Sequence, residues 1–303
     1  MSLLKAGQSA KHREGSRGCF FNRACPVGIL CLCLLLLLES ATAGQAEGYE
    51  PPLLTLPLVA DLIGEELQYD ISFMWFERLA TGSISLEETD TEGRYLLTMQ
   101  AQTRGMAALF SRNRTEKFET LVDIGSEGQL RPLWHSSSRI TWRGDPENKR
   151  ERIARYRFDY QTGTIHYERI SNGKVKKVQQ FDLDPDNPFY DILSAFYNFR
   201  LGFFGPPTQG KTLIPTFHHK GAQEIVVEPL GDPGYSERNF FAADSFLCRV
   251  LIDPEVFGTT SRDVYVAFDD NMRLQQGVIK RVVGVGDLRG ELVFHDGMTG
   301  GNR

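Results

Sequence analysis

Cysteine is scarce beyond the start of this chain. Four of the five cysteines, Cys19, Cys25, Cys31 and Cys33, fall within the first 33 residues, and only Cys248 follows. Past that point no intramolecular disulfide can form, so a domain there depends on its apolar core. Cys248 itself sits in a strand-like run and reads as a buried structural thiol. Also missing are a Gly-x-Ser-x-Gly elbow, a phosphate-cradling loop and a dinucleotide fingerprint. Gly284-x-Gly286 lacks the strand-turn-helix setting that places phosphates at a helix N-terminus. No nucleophile, base and orienting group recur at a recognisable spacing, so the chain is expected not to be an enzyme.

Histidine is scarce too, with 6 in 303 residues. His135, His166 and His295 are isolated, and no cysteine is available for a structural zinc site. His218 and His219 are adjacent, and in a strand they would point to opposite faces, which predicts that they do not hold one ion together. Asp182, Asp184 and Asp186 alternate as calcium ligands can, yet they lack the glycine and closing glutamate of an EF-hand. They read instead as acids stabilising a helix start. No metal or other cofactor is expected.

Long apolar runs are absent apart from Val27 to Leu38. Twelve residues of helix cover only about 18 Å, short of the ~30 Å hydrocarbon core. Lys5, Lys11, Arg13, Arg17 and Arg23 precede this run, and Ala41-Thr42-Ala43 follows it. This is the pattern of a cleavable secretory signal over residues 1–43. Five of 34 basic and two of 39 acidic residues would leave with it, so 29 against 37 remain and the net charge moves from −5 to −8. So acidic a chain has no general affinity for nucleic acid. With the signal gone, no transmembrane span is expected. The basic run Lys149-Arg150-Glu151-Arg152, with Arg155 and Arg157, reads as strand edges and hairpin tips, as do Lys174, Lys176 and Lys177, the sharper alternative being contact with an acidic partner or anionic headgroups.

What the chain does have is alternation. Residues 44–63, with Pro51, Pro52 and Pro57, suit an extended tether. From Gly64 onward, Leu67, Tyr69, Ile71, Phe73 and Trp75 occupy alternate positions, as a half-buried strand requires. The same period recurs at Tyr95 to Ala101, Phe118 to Ile124, Trp134 to Trp142, Tyr156 to Tyr160, Ile165 to Arg169, Val264 to Phe268 and Leu288 to Phe294. Turn residues such as Ser171-Asn172-Gly173 separate these runs. At least ten strands are predicted. The fold class is mainly β: one domain over 64–296, a large antiparallel meander sheet curled into a barrel or half-barrel, with a tail at 297–303.

One segment changes period, because Phe189, Ile192, Leu193, Phe196, Tyr197 and Arg200 recur every three or four residues. This predicts one inserted amphipathic helix over 188–201, capped by Asn187, with Pro188 in its first turn and Gly202 closing it. A shorter helical turn is expected over Met106 to Phe110. The 20 Phe, 10 Tyr and 3 Trp supply core, and can equally wall a hollow. The candidate ligand or lid residues are Phe73, Trp75, Phe189, Ile192, Leu193, Phe196 and Tyr197. A lid would leave part of the helix stripe facing empty space. A plug would be packed on every stripe residue.

Several short patterns occur in order. Gly64-Glu65-Glu66-Leu67-x-Tyr69-Asp70-Ile71-Ser72 is followed by Ala80-x-Gly82-x-Ile84-x-Leu86, then Thr103-Arg104-Gly105 with Leu109-Phe110. Leu130-Arg131-Pro132, the helix Asp191 to Arg200, and Asp253-Pro254-Glu255 with Phe257-Gly258 complete the set. The chain in this respect resembles the bacterial exported proteins grouped as domain of unknown function 3108, over residues 64–296. That resemblance implies a periplasmic or cell-envelope protein of a Gram-negative bacterium and carries no catalytic residues. In layout the chain is also similar, more distantly, to periplasmic lipoprotein carriers of the Lol type, an analogy that transfers no function.

Two readings therefore lead. The domain binds a lipid or other apolar small molecule within its curved sheet, or it is an envelope assembly factor with a packed interior that meets a protein partner through its surface.

Overall fold

The period-two runs fold into fourteen antiparallel strands of one sheet. In this computed structural model, residues 52–296 are described, except 74–75, 105–112, 143–147, 231–237 and 284–285. The expected signal (1–43), the candidate Trp75, the short helix at Met106 to Phe110 and the tail at 297–303 lie outside the described residues. The strands are β1 (Glu66–Phe73), β2 (Phe76–Glu88), β3 (Arg94–Thr103), β4 (Thr115–Ile124), β5 (Leu130–Thr141), β6 (Arg150–Asp159), β7 (Thr164–Ser171), β8 (Lys174–Asp182), β9 (Thr212–His218), β10 (Gly221–Pro229), β11 (Phe246–Leu251), β12 (Asp263–Phe268), β13 (Leu274–Val282) and β14 (Gly286–Asp296).

Their order is β8-β7-β6-β5-β4-β3-β2-β1-β14-β13-β12-β11-β10-β9. Every neighbouring pair except β1 and β14 is consecutive in sequence, so connections between successive strands build almost the whole sheet. The β7–β8 turn shows why turn residues predicted it. Asn172 and Gly173 both have positive φ, 48° and 71°, as a two-residue type I′ hairpin needs. The meander is therefore as expected, and its two ends, β8 and β9, do not pair with each other. They are joined by side chains instead. Phe217 of β9 packs 4.9 Å from Phe181 of β8 and 6.3 Å from Tyr156 of β6, measured between ring centroids.

Three short α-helices are described, α1 (Val59–Leu62), α2 (Ile192–Arg200) and α3 (Pro254–Phe257), with one 3-10 turn at Arg238–Phe240. Helix α2 crosses the concave face on the way from β8 to β9. It starts four residues later than the expected 188. Tyr190 N–H donates to Pro215 O, and Phe217 N–H donates to Tyr190 O. Those bonds hold 190 in an isolated parallel bridge to β9. The cap is accordingly Asp191, whose Oδ1 accepts from Leu193 and Ser194 N–H. Asn187, the expected cap, donates its amide to Asp184 Oδ2, and Asp184 also accepts from the Asp186 amide. Gly202, at φ 72°, closes the helix as predicted.

The helix is packed from both arms of the sheet. Leu193 and Tyr197 meet Leu67, Leu86, Leu97 and Val122 of β1 to β4. Ala195 and Phe199 meet Ile214, Phe246 and Phe268 of the other arm, and Ile192 and Phe196 touch both clusters. Asn198 clamps β5, accepting from Leu130 N–H at 2.8 Å and donating to Leu130 O at 2.9 Å. At the helix end, Arg200 is 1% exposed and forms a two-pronged ion pair with buried Glu65.

The tether expectation needs correcting over 52–63. Leu54 and Leu62 enter the two main clusters, Leu56 sits against Gly202, and Thr55 N–H donates to Asp270 O. These leucines are spaced too irregularly among the prolines to show a period, yet Leu62 is buried and Leu54 half-buried, while Leu56 keeps an exposed side. A second apolar layer lies on the opposite face of β11 to β13, where Phe241 covers Leu247, Ala267 and Val278.

Candidate functional site

Alternation along β5, β6 and β7 sets three rows of side chains on one face, two residues apart along each strand. His135, Tyr156 and Tyr167 face one another across the three strands and are buried. The next row holds Ser137 and Ala154, with Phe118 opposite Ser137 on β4. Then come Arg139 opposite Arg152, with Arg169 opposite Ala154. All of these residues line one cleft of about 480 Å³, beyond the N-terminal end of α2. Its far wall is built by His218, His219, Gln223, Asp253 and Glu255. The result is an aromatic floor under a basic rim.

The rim cations are not equivalent. Arg139 Nε donates to Glu116 Oε1, which Arg114 also holds. Arg152 and Arg169 are exposed and have no ion-pair partner among the described residues. They are the charges left over for a ligand.

At the floor, Asp191 is fully enclosed by hydrogen bonds. Thr120 Oγ1 donates to its Oδ1 at 2.6 Å, and Ser194 Oγ donates to its Oδ2 at 2.7 Å. His135 Nδ1 lies 3.2 Å from Oδ1 and 2.9 Å from Thr120 Oγ1. Because the single hydroxyl proton of Thr120 goes to Asp191, Nδ1 of His135 must carry the proton in its own contacts. The ring orientation is thereby set, and Nε2 is left at the opposite edge. Burial works to raise the Asp191 pKa, but His135, Thr120 and Ser194 outweigh it and hold the carboxyl below its usual range.

Across the cleft, the expectation that His218 and His219 point apart is wrong. Strand β9 ends at His218, and 219–220 turn toward β10. Alternation no longer applies, and the two rings meet at 4.0 Å between centroids. Nε2 of His218 is 2.9 Å from Nδ1 of His219. Glu255 reaches both from α3, and a ligand atom from each of the three lies within 4.8 Å of the others. Burial, then the neighbouring His219, lowers the His218 pKa, and burial lowers that of His219.

A family model described as protein of unknown function (DUF3108) matches residues 68–293. The chain belongs to the DUF3108 family. Among solved structures, this DUF3108 chain is similar to the "Beta-barrel-like Protein of Domain of Unknown Function DUF1849 from Brucella abortus". The identity is 10% and the TM-score 0.44, over 78% of this chain and 99% of that chain. No curated protein matches the sequence.

Of the residues proposed from sequence that are described, only Ile192 lines the cleft. Phe189 sits at the seam, 5.5 Å from Phe217. Leu193, Phe196 and Tyr197 are packed in the core on either side of the helix. Phe73 is remote, its ring lying against Gly286. Sequence reasoning named Arg152 only within a basic run and missed its grouping with Arg169 and with the tyrosine row. The signal was present: Arg152, Ala154 and Tyr156 share one face of β6, as Arg169 and Tyr167 do on β7, so the basic run is not wholly an edge. No described helix is long and apolar enough to cross a membrane.

Proposed function

We propose that this DUF3108 domain is an exported, periplasmic binding module for an amphiphilic acid. The acidic group, a carboxylate, sulfonate or phosphate, pairs with Arg152 and Arg169. The apolar body lies against Tyr156, Tyr167 and Phe217. The observation that carries this reading is the free arginine pair set above an aromatic floor in a cleft large enough for a small ligand. Arginine suits the role because its planar fork meets a carboxylate or phosphate in two parallel bonds.

The packing of α2 bears on what the apolar part is. Leu193 and Tyr197 are 1% and 0% exposed, and Ile192 and Phe196 touch both main clusters. The helix is a plug, so an acyl chain has no room beneath it. A lipid ligand is admitted only if it lies in the cleft beyond the helix. Export is supported by the basic segment, the apolar run and the Ala41-Thr42-Ala43 site.

Native mass spectrometry of the mature chain, prepared without a tag from periplasm, tests the reading. An acidic small-molecule adduct is expected on the wild type and absent from the Arg152→Ala/Arg169→Ala variant. If the wild type carries no adduct and takes up no anilinonaphthalene sulfonate, the proposal fails.

A further inference from the structure

The far wall of the cleft holds a second constellation that the acid-binding reading does not use. His218 Nε2 stands 2.9 Å from His219 Nδ1 and 3.7 Å from Glu255 Oε2. His219 Nε2 is 3.9 Å from the same oxygen. Two ligand atoms bound to zinc at about 2.05 Å and at the tetrahedral angle are about 3.3 Å apart. A single ion takes one nitrogen of His219, and one ligand atom from each of the three residues already lies within 4.8 Å of the others, so a modest inward movement of the side chains brings them to that value.

Two further features point the same way. Nδ1 of His218 is buried and has no hydrogen-bond partner among the described residues, which is costly for a polar atom. It lies 4.0 Å from Asp253 Oδ2. Asp253 is itself held, capping α3 through the Glu255 N–H at 2.8 Å. A carboxylate behind the free nitrogen of a ligating histidine is the usual outer support of a metal-bound imidazole. Lys220 pairs with Glu255 through Oε1, which leaves Oε2 to face the two rings.

We propose that His218, His219 and Glu255 form a binding site for a divalent transition-metal ion of the zinc type, with Asp253 orienting His218. Two imidazole nitrogens and one carboxylate oxygen suit zinc and its neighbours rather than calcium or magnesium, which take oxygen ligands. Three protein ligands leave a coordination position open, as catalytic rather than purely structural zinc sites do. All three residues line the cleft described above.

The test uses zinc alone, on the tag-free mature chain stripped of metal and titrated in competition with a chromophoric chelator. About one zinc per chain is expected. His218→Ala/His219→Ala should abolish binding, and Asp253→Asn, which still caps α3, should weaken it about 10- to 100-fold. Arg152→Ala/Arg169→Ala should bind zinc like the wild type, which separates this site from the acid-binding one. Melting of each metal-free variant reports whether it is folded, and Glu255→Gln supplies a conservative second variant that should also bind more weakly. Failure of the wild type to take zinc from the chelator, or retention of zinc by a folded double-histidine variant, would overturn the proposal.

Discussion

Replacing Glu65 with alanine strands Arg200 inside the protein. The guanidinium is 1% exposed, and its Nη1 and Nη2 donate to the two Glu65 oxygens at 2.5 and 2.8 Å. Its Nε donates to Met272 O at 2.8 Å, and its carbon lies 5.4 Å from the ring centroids of Phe196 and Tyr197. Those remaining contacts do not neutralise the charge. Breaking one side of such a buried pair costs about 3–5 kcal/mol, because the other ion stays desolvated. For a domain of this size that is a fall in melting temperature of about 6–20 °C. Removing both charges together is a different matter. Glu65→Leu/Arg200→Met should lie within about 2 kcal/mol of the wild type, because a well-filled apolar pair replaces two desolvation penalties. Urea unfolding of the wild type, both single variants and the double variant measures the coupling. If Glu65→Ala costs less than about 1 kcal/mol, or if the double variant costs the sum of the singles, the pair is not buried as described.

Three other outcomes follow from individual groups. Tyr197 Oη is buried without a hydrogen-bond partner among the described residues, so Tyr197→Phe should be neutral or stabilise by up to about 1 kcal/mol in urea melts; a loss above that would reveal a partner. The folded Asp191 pKa is lowered, so its contribution is complete above the unfolded value of about 4 and is lost as pH falls through the folded value. The stability gap between wild type and Asp191→Asn should therefore shrink between about pH 5 and pH 2, and a constant gap would mean the carboxylate is not ionised in its pocket. Cys248 is 0% exposed and burial pushes its thiol pKa up, so an aromatic disulfide reagent should label it only in denaturant.

Much of the fold was legible because its signal is local. Thirteen neighbouring strand pairs make the sheet, and all but β1 with β14 are joined by a connection the chain meets next. Period two and turn residues suffice for that. The helix stripe was legible for the same reason, its start less so. Asn187 and Pro188 form a good local start signal, but the bridge between Tyr190 and β9 is a long-range contact and takes precedence. Leu54 packs through a similarly distant contact. The cleft was illegible in the sequence because it depends on register. Arg152 and Arg169 meet above Tyr156 and Tyr167 only once β6 and β7 are aligned, and His218 and His219 meet because the strand stops between them. A rule about alternation within strands does not extend past a strand's last residue.

The claim that matters most is that a ligand occupies the cleft between the arginine row and the aromatic floor, outside the packed helix. Chemical-shift mapping of the isotope-labelled mature chain with anilinonaphthalene sulfonate tests it directly. The account predicts that the largest shifts fall on the Arg152 and Arg169 side-chain N–H groups and on the Tyr156, Tyr167 and Phe217 rings. Shifts centred on Leu193, Phe196 and Tyr197, or spread over the outer face of the sheet, would contradict it.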